Sequence, residues 1–149
     1  MAFQTKIQKA RFVLGPFSAD QMQRIGQAVL DSIAARIARG ENADDEAARP
    51  LKPGRRGHRG YPDYKSARGL QPIRDWKWSG RTMRSMKVLT ASENRVVIGF
   101  VDARADAIAH INNLREQQFG VSPKDRNALN AAVLAELRRQ PVVKFQRAA

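Results

Sequence analysis

Between residues 49 and 87 the chain carries twelve Lys or Arg against two acidic residues, a net charge of +10. Within that segment, Arg49 to Arg68 holds Pro50, Pro53, Pro62, Gly54, Gly57 and Gly60, with little apolar content beyond Leu51, Tyr61 and Tyr64. Such a stretch cannot bury enough apolar area to offset the entropy of ordering it. The core must therefore come from the flanks, and residues 41–78 read as an extended basic arm inserted into a single domain of 149 residues. A loop this long is uncommon in a compact domain unless it has a task. The expectation is that residues 49–72 stay disordered in the isolated chain until a partner orders them. Elsewhere the charge nearly balances: six basic and six acidic residues over 1–48, nine and six over 88–149. The overall +13 is thus the property of a region.

Several classes are excluded at once. No window approaches the roughly 18–20 consecutive apolar residues of a membrane span. The opening Met1 to Lys9 has no apolar core of about 7–15 residues after its charges, so it does not read as a secretory signal. The absence of Cys excludes disulfides and thiolate zinc sites and suggests a reducing or redox-neutral compartment.

The flanks carry clear periodicities. Ser18 followed by Gln21 is a capping-box pattern, with Phe17 placed to staple against Met22. Apolar residues then recur at Met22, Ile25, Val29, Ile33 and Ile37, with Leu30 beside them, predicting a helix over 19–39 that Gly40 ends. Residues 10–16 read as a short extended lead-in. Val88 and the β-branched run Val96 to Val101, separated by turn formers in Ala91 to Arg95, predict an antiparallel hairpin over 86–101. Asp102 can cap a helix bearing Ala105, Ile108, Ala109, Ile111 and Leu114, ending near Gln118 before Gly120. Ser122 and Pro123 open a last helix over 123–139, with Leu129, Val133, Leu134 and Leu137 as its stripe and Pro141 as its stop. Val142 to Phe145 reads as a short final strand. The order predicts an α+β domain: a small antiparallel sheet packed by an N-terminal helix and two C-terminal helices, with the long basic arm between.

Catalytic constellations are sparse. His58 and His110 are the only histidines, and neither lies in a His-Glu-x-x-His setting; His110, beside Ile111, reads as a partly buried helix residue. Asp102 and Asp106 lie one turn apart, which the helix dipole alone explains. No Walker or Rossmann phosphate loop is present. Pro62-Asp63 followed by Asp75-Trp76-Lys77 matches the spacing of Mg²⁺-dependent nucleases, in which two carboxylates hold the metal and a lysine assists the attacking water. Asp75 and Lys77 would share one face of a strand. Asp63, however, lies in a basic Gly/Pro context without an apolar strand around it. The basic arm has three readings: a track along a nucleic-acid backbone with Tyr61, Tyr64, Trp76 and Trp78 as stacking platforms, a clasp on an acidic protein surface, or a solvated loop. Self-repulsion at this charge density disfavours the last unless something neutralises it. Trp76 and Trp78, at a spacing of two, suit core or interface anchors better than base stacking.

Four short elements occur in order: Trp78-Ser79-Gly80-Arg81-Thr82-Met83-Arg84-Ser85-Met86-Lys87-Val88, then Val97-Ile98-Gly99-Phe100, then Ala107-Ile108-Ala109-His110, then Gln117-Gln118-Phe119-Gly120. Together with the amphipathic N-terminal helix and the polar insertion ahead of Ser79-Gly80, this order resembles the tail-completion (virion morphogenesis) family of tailed phages over about residues 18–140. Met83 stands where the family's pattern has leucine, and Val121-Ser122-Pro123 where it often has Arg-Pro-Phe. The matching motif residues are Ser79, Gly80, Met83, Ser85, His110 and Gly120. The resemblance implies a structural protein without catalytic residues, metal or cofactor. It implies a homo-oligomer, a hexameric ring at the neck or head-proximal end of the tail, joining the tail to the capsid connector. Its partners would be other neck and tail proteins (connector or stopper, tail tube or sheath) and DNA in the channel, with no membrane involved. Its place would be the virion, after assembly in the host cytoplasm. On that reading Arg49, Lys52, Arg55, Arg56, Arg59, Lys65 and Arg68 contact neighbouring subunits or DNA, and Trp76, Trp78, Phe100 and Phe119 anchor core or interface. The alternatives are a sequence-nonspecific nucleic-acid-binding protein and, behind it, the nuclease using Asp63, Asp75 and Lys77.

Overall fold

The computed structural model describes residues 17–77 and 79–139. Helix α1 (Ala19–Ala38) starts at Ser18, whose side chain accepts from the Gln21 N–H at 3.2 Å while the Gln21 side chain accepts from the Ser18 N–H at 2.9 Å. Two orphan donors at the helix start are thereby satisfied. The helix ends at Arg39, and Gly40 turns the chain away at φ +74°. Its apolar stripe, Met22, Ile25, Val29, Leu30, Ile33 and Ile37, is buried throughout, with Phe17 beneath its start.

That stripe lies on a two-stranded antiparallel sheet of β1 (Met86–Ser92) and β2 (Arg95–Phe100). The strands pair from Met86 opposite Phe100 to Ser92 opposite Arg95, with an irregularity between Val88 and Thr90. Met86, Val96 and Phe100 complete the core under α1. Helix α4 (Ala103–Asn113) follows with Asp102 as its cap, accepting from the Arg104 N–H at 2.9 Å. Helix α5 (Pro123–Arg139) runs antiparallel along α1, tied to it near one end by Arg36–Asp125 and near the other by Arg24–Glu136. The fold is therefore α+β, with a small antiparallel sheet, an N-terminal helix and two C-terminal helices. The lead-in at 10–16 and the strand at 142–145 lie outside the described residues.

Three elements depart from expectation. Residues 81–85 form a single helical turn, α3 (Arg81–Ser85), ahead of the hairpin. Helix α4 stops at Asn113 and does not reach Gln118, because the Asn113 Oδ1 captures the N–H groups of Gln118 and Phe119, each at 3.0 Å. Its amide also donates to the Phe119 carbonyl at 2.8 Å, closing a tight loop in place of further helix. Residues 41–78 are not one extended arm: they contain helix α2 (Tyr61–Ala67). Their start is also pinned, with the Ala43 N–H donating to the Gln117 carbonyl and the Arg49 N–H to both oxygens of Glu116. Gly54 and Gly60 act here as packing residues. A Cβ on Gly54 would fall 1.9 Å from the His58 carbonyl oxygen, and one on Gly60 2.1 Å from the Gly54 nitrogen, so the ribbon doubles back only because both lack side chains.

The stripes of the last two helices also differ from expectation. On α4 the inward residues are Ala105 and Ala109, while Ile108, Ile111 and Leu114 are exposed; His110 is exposed as well. On α5 the side facing α1 holds Asp125, Leu129, Val133 and Glu136, and Leu134 and Leu137 point outward. Two buried carboxylates with cationic partners on α1 take positions that an apolar count would give to leucines.

Candidate functional site

Arg36 organises the wall behind the site. It is 1% exposed, and its guanidinium donates to Asp125 Oδ2 at 3.0 Å and to the carbonyls of Glu41, Gln118 and Gly120 at 3.2, 3.1 and 2.8 Å. One planar fork thus joins α1, the turn after it, the 118–120 loop and the start of α5. Gln118, fixed by this wall, receives the indole N–H of Trp76 on its Oε1 at 2.6 Å and returns its amide to the Arg74 carbonyl at 3.3 Å. The Trp76 ring tilts against Phe119 at 4.8 Å, and Phe119 meets Phe100 edge-on at 5.1 Å. These contacts hold Trp76 in the left-handed region, φ +59°, where a bulky residue is a genuine outlier.

Helix α2 is held against this turn by a buried ion pair. Lys65 reaches Asp75 Oδ1 through its ammonium and also donates to the Ile73 carbonyl at 2.6 Å. Asp75 Oδ1 accepts the Lys77 N–H at 3.1 Å, while its Oδ2 is buried without a partner. Between α2, the 49–52 ribbon and the 73–76 turn lies a groove of about 650 Å³. Arg49, Lys52, Arg74 and Arg115 bring charge to its walls, Tyr61 and Trp76 bring rings, and the Lys65 stem reaches it from below. Among the described residues no carboxylate lines it. Arg74 approaches Glu116 Oε2 only to 4.0 Å, and its Nε is enclosed without an acceptor. Burial, and then the nearby Asp75 charge, push the Tyr61 phenol above its ordinary value near 10, so it remains a neutral donor at pH 7.

The expected site residues divide accordingly. Of the basic set, Arg49 and Lys52 line the groove, Arg55, Arg56, Arg59 and Arg68 are exposed beside it in sequence, and Lys65 is buried and paired rather than offered to a partner. Trp76, Phe100 and Phe119 form one aromatic cluster; Trp78 lies outside the described residues. No strand carries Asp75 and Lys77 on one face, because residues 73–77 are a turn, and Asp63 is occupied in accepting the Gly60 N–H at 2.7 Å as α2 begins. Of the motif residues, Gly80 opens α3, Met83 packs on the core, Ser85 is buried with its hydroxyl on the Thr82 carbonyl at 3.1 Å, Ser79 accepts the Arg81 N–H at 3.3 Å, and Gly120 presents its carbonyl to Arg36. Arg74, Arg115 and Gln118 were not anticipated as site residues. They come from separate segments and share no local pattern with the arm. Comparison of the chain with protein-family models, with curated proteins and with solved structures returned no match.

Proposed function

We propose that the chain is a structural subunit of a ring at the neck of a tailed phage, completing the tail and joining it to the capsid connector. The observation that carries this reading is the reversed polarity of α4. Its small residues Ala105 and Ala109 face the core, whereas Ile108 and Ile111 are 37% and 52% exposed and Leu114, the residue that caps its end, is 75% exposed. Burying a large aliphatic side chain is worth about 1.5–3 kcal/mol, so three of them on one short element and its cap favour association with a second copy. The order of Ser79-Gly80, the hairpin, His110 and Gly120 supports placing that association in the tail-completion family. The fully formed core under α1 fits a subunit that folds first and assembles afterwards.

The test is oligomeric state by analytical ultracentrifugation, joined to localisation in particles by reconstruction. A ring of copies at the head–tail joint is expected. Ile111→Asp with Leu114→Asp should yield monomers whose unfolding midpoint is unchanged, since both side chains are exposed in the single chain. A wild-type chain that stays monomeric at high concentration and is absent from particles overturns the reading.

A further inference from the structure

We propose that the groove between the 49–52 ribbon, α2 and the 73–76 turn binds a single-stranded nucleic-acid segment, with its cations on the phosphodiester backbone and Tyr61 and Trp76 against the bases. The inference does not rest on the ring reading, because it concerns what the chain's own groove can recognise.

Charge is the first argument. Five cationic residues line this concavity, of which Lys65 is paired with Asp75, and among the described residues no carboxylate does, so it presents a field of one sign. The two nearest acids lie behind its walls: Asp75 is paired with Lys65, and Glu116 accepts the Arg49 backbone N–H and stands 4.0 Å from Arg74. Arg74 is only loosely paired, with its one carboxylate partner, Glu116, at 4.0 Å and an enclosed Nε that has no acceptor. A guanidinium left in this condition gains from an anionic oxygen at the groove. The exposed Arg55, Arg56 and Arg59 lie in the ribbon between Lys52 and Tyr61, both of which line the groove, and so extend the cationic track beyond it.

Rings are the second argument, and they choose between kinds of anion. The Trp76 indole is clamped by Gln118 and Phe119, and although it is partly buried against the core it still lines the groove, so little side-chain entropy is left to lose on stacking. Tyr61, at the start of α2, also lines the groove and is 44% exposed. A run of Asp and Glu would use the cations but brings no ring to lay on these faces. A duplex keeps its bases stacked internally, whereas an unpaired strand offers both phosphates and ring faces. A volume of about 650 Å³ suits a ligand unit of nucleotide size.

The experiment measures binding of a fluorescent oligothymidylate of about 12 nucleotides to the full chain by anisotropy across a salt series. Arg49→Ala with Arg115→Ala should weaken binding about tenfold and flatten the slope of log K against log salt by about 1.4, at about 0.7 for each phosphate no longer neutralised. Tyr61→Ala should weaken binding about fivefold or more with the slope unchanged, since it removes stacking and no charge. Arg104→Ala with Arg126→Ala, which removes exposed cations on α4 and α5, should leave the slope where it was. Circular dichroism and a urea midpoint confirm folding of each variant. An equal loss in the α4/α5 variant, an inert Tyr61→Ala, displacement by polyglutamate as effective as by unlabelled oligothymidylate, or a duplex bound as tightly as the single strand each overturns the proposal. None of these readouts depends on ring formation, so failure here and failure of the ring reading are separable.

Discussion

Arg36–Asp125 and Lys65–Asp75 are both ion pairs whose side chains are no more than 2% exposed, yet their surroundings differ. Asp125 is satisfied on both oxygens, Oδ1 by the Ser32 hydroxyl at 2.6 Å and Oδ2 by Arg36 and the Ser122 N–H at 3.0 Å each. Asp75 uses one oxygen twice and leaves the other buried and empty. The first pair lies where α1, α5 and two loops converge, so its network can close within the fold. The second lies beside the groove, in a segment whose aliphatic support comes down to Leu51, Leu70 and Ile73 beside the rings. A buried charge in a closed network acts as a lock; one left incomplete beside a cavity marks a place where the fold is not self-sufficient.

The largest expected effect tests the lock. Arg36→Met leaves Asp125 buried without its cation and the carbonyls of Glu41, Gln118 and Gly120 without this donor, and should cost about 3–5 kcal/mol in urea denaturation. Lys65→Met should cost less, about 1–3 kcal/mol, because α2 and residues 73–77 can open locally and hydrate Asp75. Hydrogen exchange should then accelerate in α2 while α1 and α5 keep their protection. If the two variants lose equal stability, or if α1 opens together with α2, the contrast between the regions fails. The smallest effect sharpens the other end of the α1–α5 seam. Hydrogen bonding to Arg24 lowers the Glu136 carboxyl from its ordinary value near 4.5 to about 2. A lowered folded-state value means that this contribution is fully present above pH 4.5 and is lost as the pH falls towards 2. Urea midpoints should drop across that window, and Glu136→Gln should shallow the drop.

The helical and hairpin elements were legible because local rules agreed with the tertiary outcome. The Ser18–Gln21 box, the α1 stripe and the β-branched run 96–101 each name their own structure within a few residues. The end of α4 was not legible, since it depends on one Asn113 side chain capturing N–H groups five and six residues ahead. Nor was the inner face of α5, where Asp125 and Glu136 replace leucines only because Arg36 and Arg24 stand opposite. The site was half legible: Tyr61, Trp76, Arg49 and Lys52 stood out by type and charge, whereas Arg74, Arg115 and Gln118 join them only through folding. Lys65 was misplaced among the solvent-facing cations because its partner Asp75 lies ten residues away across a turn.

The sequence by itself determined that the core would come from residues 17–39 and 86–139, because only there do apolar residues recur at helical and strand periods. It also determined that the charge would concentrate in the segment between them. Only the tertiary structure decided what that segment becomes. Its order comes from single long-range bonds, Arg49 to Glu116, Lys65 to Asp75 and Trp76 to Gln118, and such pairings leave no periodic trace along a chain.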